Sequence, residues 1–202
     1  MRGFIHLANC DSMIGTDGGI MLKGELVYLV PLDIANAETA RAWINDPEVN
    51  QWLLSGQNPV SREGERAFYL ADETDRAAGS AYRFEIHVAE DDRYIGNCGI
   101  EQVDRTHRHA EIGICIGSLP DQNRGFGRDT LVTLLRFGFD TLGLHRIAIL
   151  ANAENERAVH LYGSVGFTEV GREREVVFMR GKFRDHVVLD MLDREFRARY
   201  GE

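Results

Sequence analysis

The sequence predicts a mixed α/β (α+β) fold, with a central, largely antiparallel, twisted sheet of about seven strands and helices packed against it. Three features predict it. Strand-like runs follow one another between Tyr82 and Ile116 with only short polar turns between them, in the manner of a meander. A helix-period run occupies Asp129 to Leu142, and residues Val170 to Leu192 alternate about a Gly-Lys turn as a hairpin does.

Each element has a local cause. Residues 1–24 read as an N-terminal extension, loop or added strand, because Asp11 to Gly19 is rich in Gly, Asp, Ser and Thr. Residues 25–202 read as a single domain. Glu25 to Leu32 is an apolar first strand stopped by Pro31 and Asp33. Asp33 suits the N-cap of a helix through Trp43, and Asp46-Pro47 opens a short helical turn toward Leu54. Ser61 followed by Glu63 to Leu70 reads as another helix, ending before the Ala77 to Ser80 stretch. Strands are expected at Tyr82 to Ala89, Tyr94 to Val103 and Ala110 to Ile116, with Asp91-Asp92 in the first turn. In the long helix Leu131, Leu134, Leu135, Phe139 and Leu142 share one face. His145 to Leu150 is a short buried-type strand, Asn155 to Val165 an amphipathic helix, and Val170 to Phe178 with His186 to Leu192 the final hairpin.

Composition narrows the function. With 202 residues, 44% hydrophobic and 27% charged, the chain can bury a substantial core. A net charge of −9 argues against an extended nucleic-acid surface; it either favours approach of cationic small molecules or basic peptide ends or serves only to keep the chain in solution. Cys10, Cys98 and Cys115 are scattered and form no CxxC pair, so no disulfide framework or zinc ribbon is expected. No apolar run approaches the ~20 residues of a membrane helix, and the first residues lack a secretory pattern, so a cytoplasmic protein is expected. His107 and His109 lie in a polar loop without a third ligand, and no metal site is expected.

The chemistry concentrates in Gln122-Asn123-Arg124-Gly125-Phe126-Gly127-Arg128, a glycine-containing turn between a strand and a helix. Helix N-terminal amides without intrahelical partners, with the helix dipole behind them, suit a phosphate or pyrophosphate. The turn lacks the third glycine of a dinucleotide-binding fingerprint and the Gly-Lys-Ser/Thr ending of a P-loop. About thirty residues on comes Asn155-Glu156-Arg157-Ala158, then Tyr162, Gly166 and Phe167.

Together these residues resemble the GNAT family of N-acetyltransferases. Its acetyl-CoA motif, Gln/Arg-x-x-Gly-x-Gly/Ala, is matched by Gln122, Gly125 and Gly127, and its Asn-x-x-Ala…Tyr…Gly-Phe element by Asn155, Ala158, Tyr162, Gly166 and Phe167. The resemblance runs roughly from Tyr28 to Phe196. Its C-terminal part, with Gly171-Arg172 and Gly181 to Asp185, is similar to the RimJ/RimL-like and spermidine N-acetyltransferase-like branch.

The resemblance implies a sheet splayed between its fourth and fifth strands, where the pantetheine arm of acetyl-CoA fills the gap like an added strand. Ile114, Cys115 and Ile116 would line it, and Gln122 to Arg128 with Asn155, Arg157 and Ala158 would complete the cofactor site. Tyr162 stands where the family places its general acid. Glu111 matches the acidic residue of an Ala-Glu-Ile-Gly stretch and is the candidate base, with Glu101 second and pairing to Arg108 or His109 as the structural alternative. Cys115 reads as a buried small residue and not as a nucleophile.

The implied activity is acetyl transfer to a primary amine by direct attack through a tetrahedral intermediate. The acceptor would be a protein N-terminal amine or a polyamine, and a homodimer is implied. The alternatives are an antibiotic-amine acetyltransferase and a non-catalytic acyl-CoA sensor. Trp43, Trp52, Phe68 and Tyr69 lie in the region of the acceptor pocket and read as core rather than as a substrate cage.

Overall fold

In the computed structural model, which describes residues 21–53 and 58–201, the strands form one eight-stranded sheet. The expected extension lies outside the described residues as far as residue 20, Cys10 included. Its last part joins the sheet: β1 (Leu22–Lys23) pairs antiparallel with β2 (Val27–Pro31), which raises the count from seven to eight. The remaining strands are β3 (Tyr82–Val88), β4 (Tyr94–Asp104), β5 (His109–Ile116), β6 (Arg146–Asn152), β7 (Thr168–Met179) and β8 (Lys182–Leu192). Their order is β1-β2-β3-β4-β5-β6-β8-β7. Every neighbouring pair is antiparallel except β5 and β6.

Caps set the helix boundaries. Asp33 caps a 3-10 turn (Ile34–Asn36) that leads into α1 (Ala37–Asn45). Asp46 caps α2 (Pro47–Asn50) by accepting from the Glu48 amide. The next helix, α3 (Arg62–Ala78), starts where the Ser61 hydroxyl accepts from the Gly64 amide at 3.0 Å. It continues well past the expected Leu70, to Gly79 in the left-handed conformation at φ 70°. Further helices are α4 (Phe126–Arg136), α5 (Glu156–Val165) and α6 (Asp193–Tyr200).

Two differences from the sequence reading have clear causes. The long helix begins at Phe126 and widens after Arg136 into a π-helical turn (Phe137–Thr141). A side chain on Gly138 would overlap Ile147, so the wide turn lets bare backbone pack against β6. The terminal α6 gave no periodic signal because Phe196 and Tyr200 are its only apolar anchors. Phe196 enters the core and lies 5.3 Å from the Phe139 ring.

The main core lies between the sheet and α4, where Leu131, Leu134 and Leu135 are fully buried at roughly 1.5–3 kcal/mol each. Asp129, in the first turn of α4, accepts from the backbone amides of Glu25, Leu26 and Val27 at 3.1, 2.7 and 2.9 Å. This clamp ties the start of α4 to the start of β2 and explains why a charged residue follows the glycine turn.

The sheet opens as expected. β5 and β6 pair only at His109–Arg146, Ala110–Ile147 and Glu111–Ala148. Beyond Glu111 the strands part, and on the other side β4 breaks its register with a bulge after Glu101, where Gln102 takes φ 52°.

Candidate active site

A cavity of about 800 Å³ occupies the splay between β5 and β6 and continues beneath α1, α2 and α3. By strand alternation Ala110 and Ile112 face the α4 core, whereas Glu111, Gly113 and Cys115 face the other side. The cavity therefore reaches both faces of the sheet.

On the strand edge, Ile114, Cys115 and Ile116 pair with Cys98, Asn97 and Gly96 of β4, and their other edge has no strand partner among the described residues. Gly96 permits this close pairing, since a Cβ there would collide with the Cys115 carbonyl oxygen. The Gln122 side chain donates to the Ile116 carbonyl at 2.9 Å and holds the strand end against the following turn.

That turn meets the cavity through Gln122, Asn123, Gly125, Gly127 and Arg128. Asn123 at φ 62° and Gly125 at φ 89° bend the chain, and no side chain caps α4. The amides of Arg128 and Asp129 return to the Gly125 carbonyl at 3.1 Å each. A helix's first amides have no carbonyl a full turn back, so this end can receive an anion. Phe126 contributes backbone alone, because its side chain is buried in the core. The Arg124 guanidinium bonds Asp121 at 2.9 Å and lies over the Phe126 ring, and Arg128 donates to the Tyr200 hydroxyl at 3.1 Å. Asp121 is deeply buried. Burial would raise its pKa, but hydrogen bonds from Arg93 and Ser118 and the charges of Arg93 and Arg124 hold it below the usual aspartate value. Both arginine heads are thus anchored on protein partners at the rim.

Asn155 caps α5 by accepting from the Ala158 amide at 3.2 Å, and it lines the cavity with Arg157 and Ala158. Two turns further along α5, Tyr162 is 7% exposed and also lines it, with no hydrogen bond to its hydroxyl among the described residues. Burial, with Cys115 nearby as a second cause, pushes its pKa up to about 12, so it is a neutral donor at any ordinary pH. The Cys115 thiol is itself pushed up to about 11 by burial, which leaves little thiolate for nucleophilic chemistry.

The half beneath α1–α3 is acidic and aromatic, lined by Glu48, Glu65, Glu101 and Glu111 with Trp43 and Trp52. The structure separates the two candidate bases. Glu101 accepts from Arg83 Nε at 2.7 Å, whereas Glu111 has no ion pair among the described residues. The alternative pairings do not form: Arg108 donates to the Gly143 carbonyl, and His109 lies 3.9 Å from Asp104. Burial, then the charges of Glu101 and Glu173, raise the Glu111 pKa. The aromatics divide. Tyr69 is buried in a small second core, but Trp43 on α1, Trp52 in the turn after α2 and Phe68 on α3 are not core and line the cavity.

Two further groups escaped sequence reasoning. Glu65 and His186 are each 3% exposed, both line the cavity, and Glu65 Oε1 and His186 Nε2 are buried without hydrogen-bond partners among the described residues. His186 stands opposite Asn152 and Glu173 in the strand register, and burial lowers its pKa. The available signal was alternation: Val187, Leu189 and Met191 take the core face of β8, which leaves His186 on the other.

His107 and His109 stack on each other, and no group of three or more His, Cys, Asp or Glu side chains that could hold a metal ion occurs among the described residues. Among the same residues no helix is long and apolar enough to cross a membrane.

Comparison with known proteins agrees with this geometry. The acetyltransferase (GNAT) domain model matches residues 27–168. The uncharacterized N-acetyltransferase p20 of Bacillus licheniformis is 28% identical over 87% of this chain and 97% of its own length. The putative ribosomal N-acetyltransferase YdaF of Bacillus subtilis (strain 168) is 27% identical over 76% of this chain and 83% of its own. The crystal structure of spermidine N-acetyltransferase from Vibrio cholerae, in complex with CoA and spermine, superimposes with a TM-score of 0.76 at 25% identity, covering 85% of this chain and 98% of that one.

Proposed function

Since the chain belongs to the GNAT family and is an N-acetyltransferase, we propose that it moves the acetyl group of acetyl-CoA to a cationic primary amine, either a polyamine or a protein N-terminal amine. One observation carries this reading: a single cavity joins a β5 edge that has no strand partner among the described residues, and an uncapped α4 N-terminus, to an acceptor half in which Glu48, Glu65, Glu101 and Glu111 outnumber the one arginine, Arg83. The acidic half favours an acceptor that arrives protonated.

The roles follow from the environments. The Asn123 to Arg128 turn holds the pyrophosphate through backbone amides, with Arg124 and Arg128 adding charge at the rim. The free edge of Ile114, Cys115 and Ile116 bonds the pantetheine amides and offers an N–H to the oxyanion. Asn155, Arg157 and Ala158 flank the arm. Glu111 takes the ammonium proton, directly or through water, and its raised pKa brings it nearer that task than an ordinary glutamate. The amine nitrogen then bonds the carbonyl carbon, the tetrahedral intermediate collapses, and the carbon–sulfur bond breaks. Tyr162 donates a hydrogen bond to the departing sulfur, and the second proton of the amine nitrogen ends on that sulfur as the free thiol, leaving a neutral amide.

The test is free-thiol release from acetyl-CoA against spermidine, spermine, basic N-terminal peptides and an aminoglycoside. Release with a polyamine or peptide supports the reading and selects between them. Release with the aminoglycoside alone overturns the acceptor assignment, and tight acetyl-CoA binding with no release across the panel overturns catalysis on this acceptor class.

A further inference from the structure

Glu65 Oε1 has no hydrogen-bond partner among the described residues. The residue lies on α3, is 3% exposed and lines the acceptor half of the cavity. Arg41, whose charge reaches it, is already bonded to Glu38 at 2.5 Å. A buried carboxylate oxygen without a donor is destabilising, and such groups ordinarily find partners. The neighbouring wall is aromatic. Trp43 and Trp52 line the same cavity; Trp43 is set by its tilted packing on Tyr94 at 4.8 Å, and Trp52 has no ring partner among the described residues. A carboxylate and indole rings lining one cavity are the chemistry that holds an organic cation, by charge and by the ring quadrupole.

We infer that Glu65, with Trp43 and Trp52, forms a subsite for a second cationic group of the acceptor, beyond the nitrogen that is acetylated. The inference rests on the amine-acetylation reading and adds a requirement to it: the preferred acceptor carries two positive charges on one flexible chain. Glu111 serves the reacting ammonium, and Glu65 anchors the other charge. Glu101 is a weaker anchor because Arg83 already neutralises it.

The experiment is calorimetric titration of the CoA-bound protein with the diamine cadaverine and the monoamine pentylamine, on wild type, Glu65→Gln and Trp52→Leu. Wild type is expected to bind cadaverine at least about tenfold more tightly than pentylamine, or about 1.4 kcal/mol. Glu65→Gln is expected to erase that difference with pentylamine affinity unchanged, and to melt no lower than wild type, since the carboxyl oxygen it replaces has no hydrogen bond among the described residues. Trp52→Leu, which leaves the carboxylate in place, is expected to weaken cadaverine binding a few-fold. Equal affinities in wild type, or a cadaverine preference that survives in Glu65→Gln, would overturn the subsite. Thiol release is read separately, so a protein that discriminates the amines but releases no thiol refutes the catalytic reading and leaves the subsite standing.

Discussion

Replacing Tyr162 with Phe tests the chemistry most directly. Among the described residues the hydroxyl has no hydrogen bond, so its loss breaks none of their contacts, and the variant should fold as stably as wild type. Its pKa, pushed up to about 12, lies about 3.5 units above the ~8.5 of a free thiol. Full proton transfer to a relaxed thiolate would then be uphill by about 5 kcal/mol. Tyr162 therefore acts by donating a hydrogen bond to the sulfur as charge develops, inside a buried site where such a bond is strong. Losing one preorganised donor of this kind costs about 10²-fold in turnover. Tyr162→Phe should lower kcat by about 10²-fold and leave acetyl-CoA affinity within about twofold, as seen by thiol release and equilibrium binding. Wild type should show no loss of activity from Tyr162 ionisation below about pH 11. An unchanged kcat, or an alkaline limb near pH 8–9 that vanishes in the variant, would refute this account.

Other expectations follow from the same geometry. Glu111 must be ionised to accept a proton and its pKa is raised, so activity should grow as pH climbs through a value above the ordinary 4.5. Glu111→Gln should lower kcat/KM by about 10²-fold and remove that acidic limb; an unshifted pH profile would make Glu111 structural. Asp129→Ala strands the amides of Glu25, Leu26 and Val27 and should cost about 3 kcal/mol of stability in urea unfolding. A loss below about 1 kcal/mol would show that water replaces the clamp. Cys115→Ala should retain turnover, with no acetylated protein in intact-mass spectra of wild type mixed with acetyl-CoA, because the thiol titrates only near pH 11. Accumulation of an acetylated Cys115 would overturn direct transfer.

What the sequence determined by itself is what near neighbours decide. Ser61, Asn155 and Asp46 bond amides two or three residues away, so their caps were legible from spacing alone. The glycine turn before α4 and the amphipathic faces of α4 and α5 have the same local origin, and with the Tyr162 and Gly166-Phe167 element they were enough for a family resemblance. The strand runs were legible because alternation is a period of two, but the extra β1 and the widened turn at Phe137–Thr141 answer to distant partners, β2 and β6.

Only the tertiary structure could decide between Glu101 and Glu111. Their strand positions are equivalent across the β4–β5 pairing, and the difference is Arg83, brought to Glu101 from β3. It likewise turned Trp43 and Trp52 from expected core into cavity wall, and left Glu65 and His186 buried with unpartnered atoms. The physical reason is common to all four. Whether a side chain is satisfied, buried or poised for a ligand depends on which remote group arrives beside it, and sequence spacing carries that information only within a turn or a strand pair.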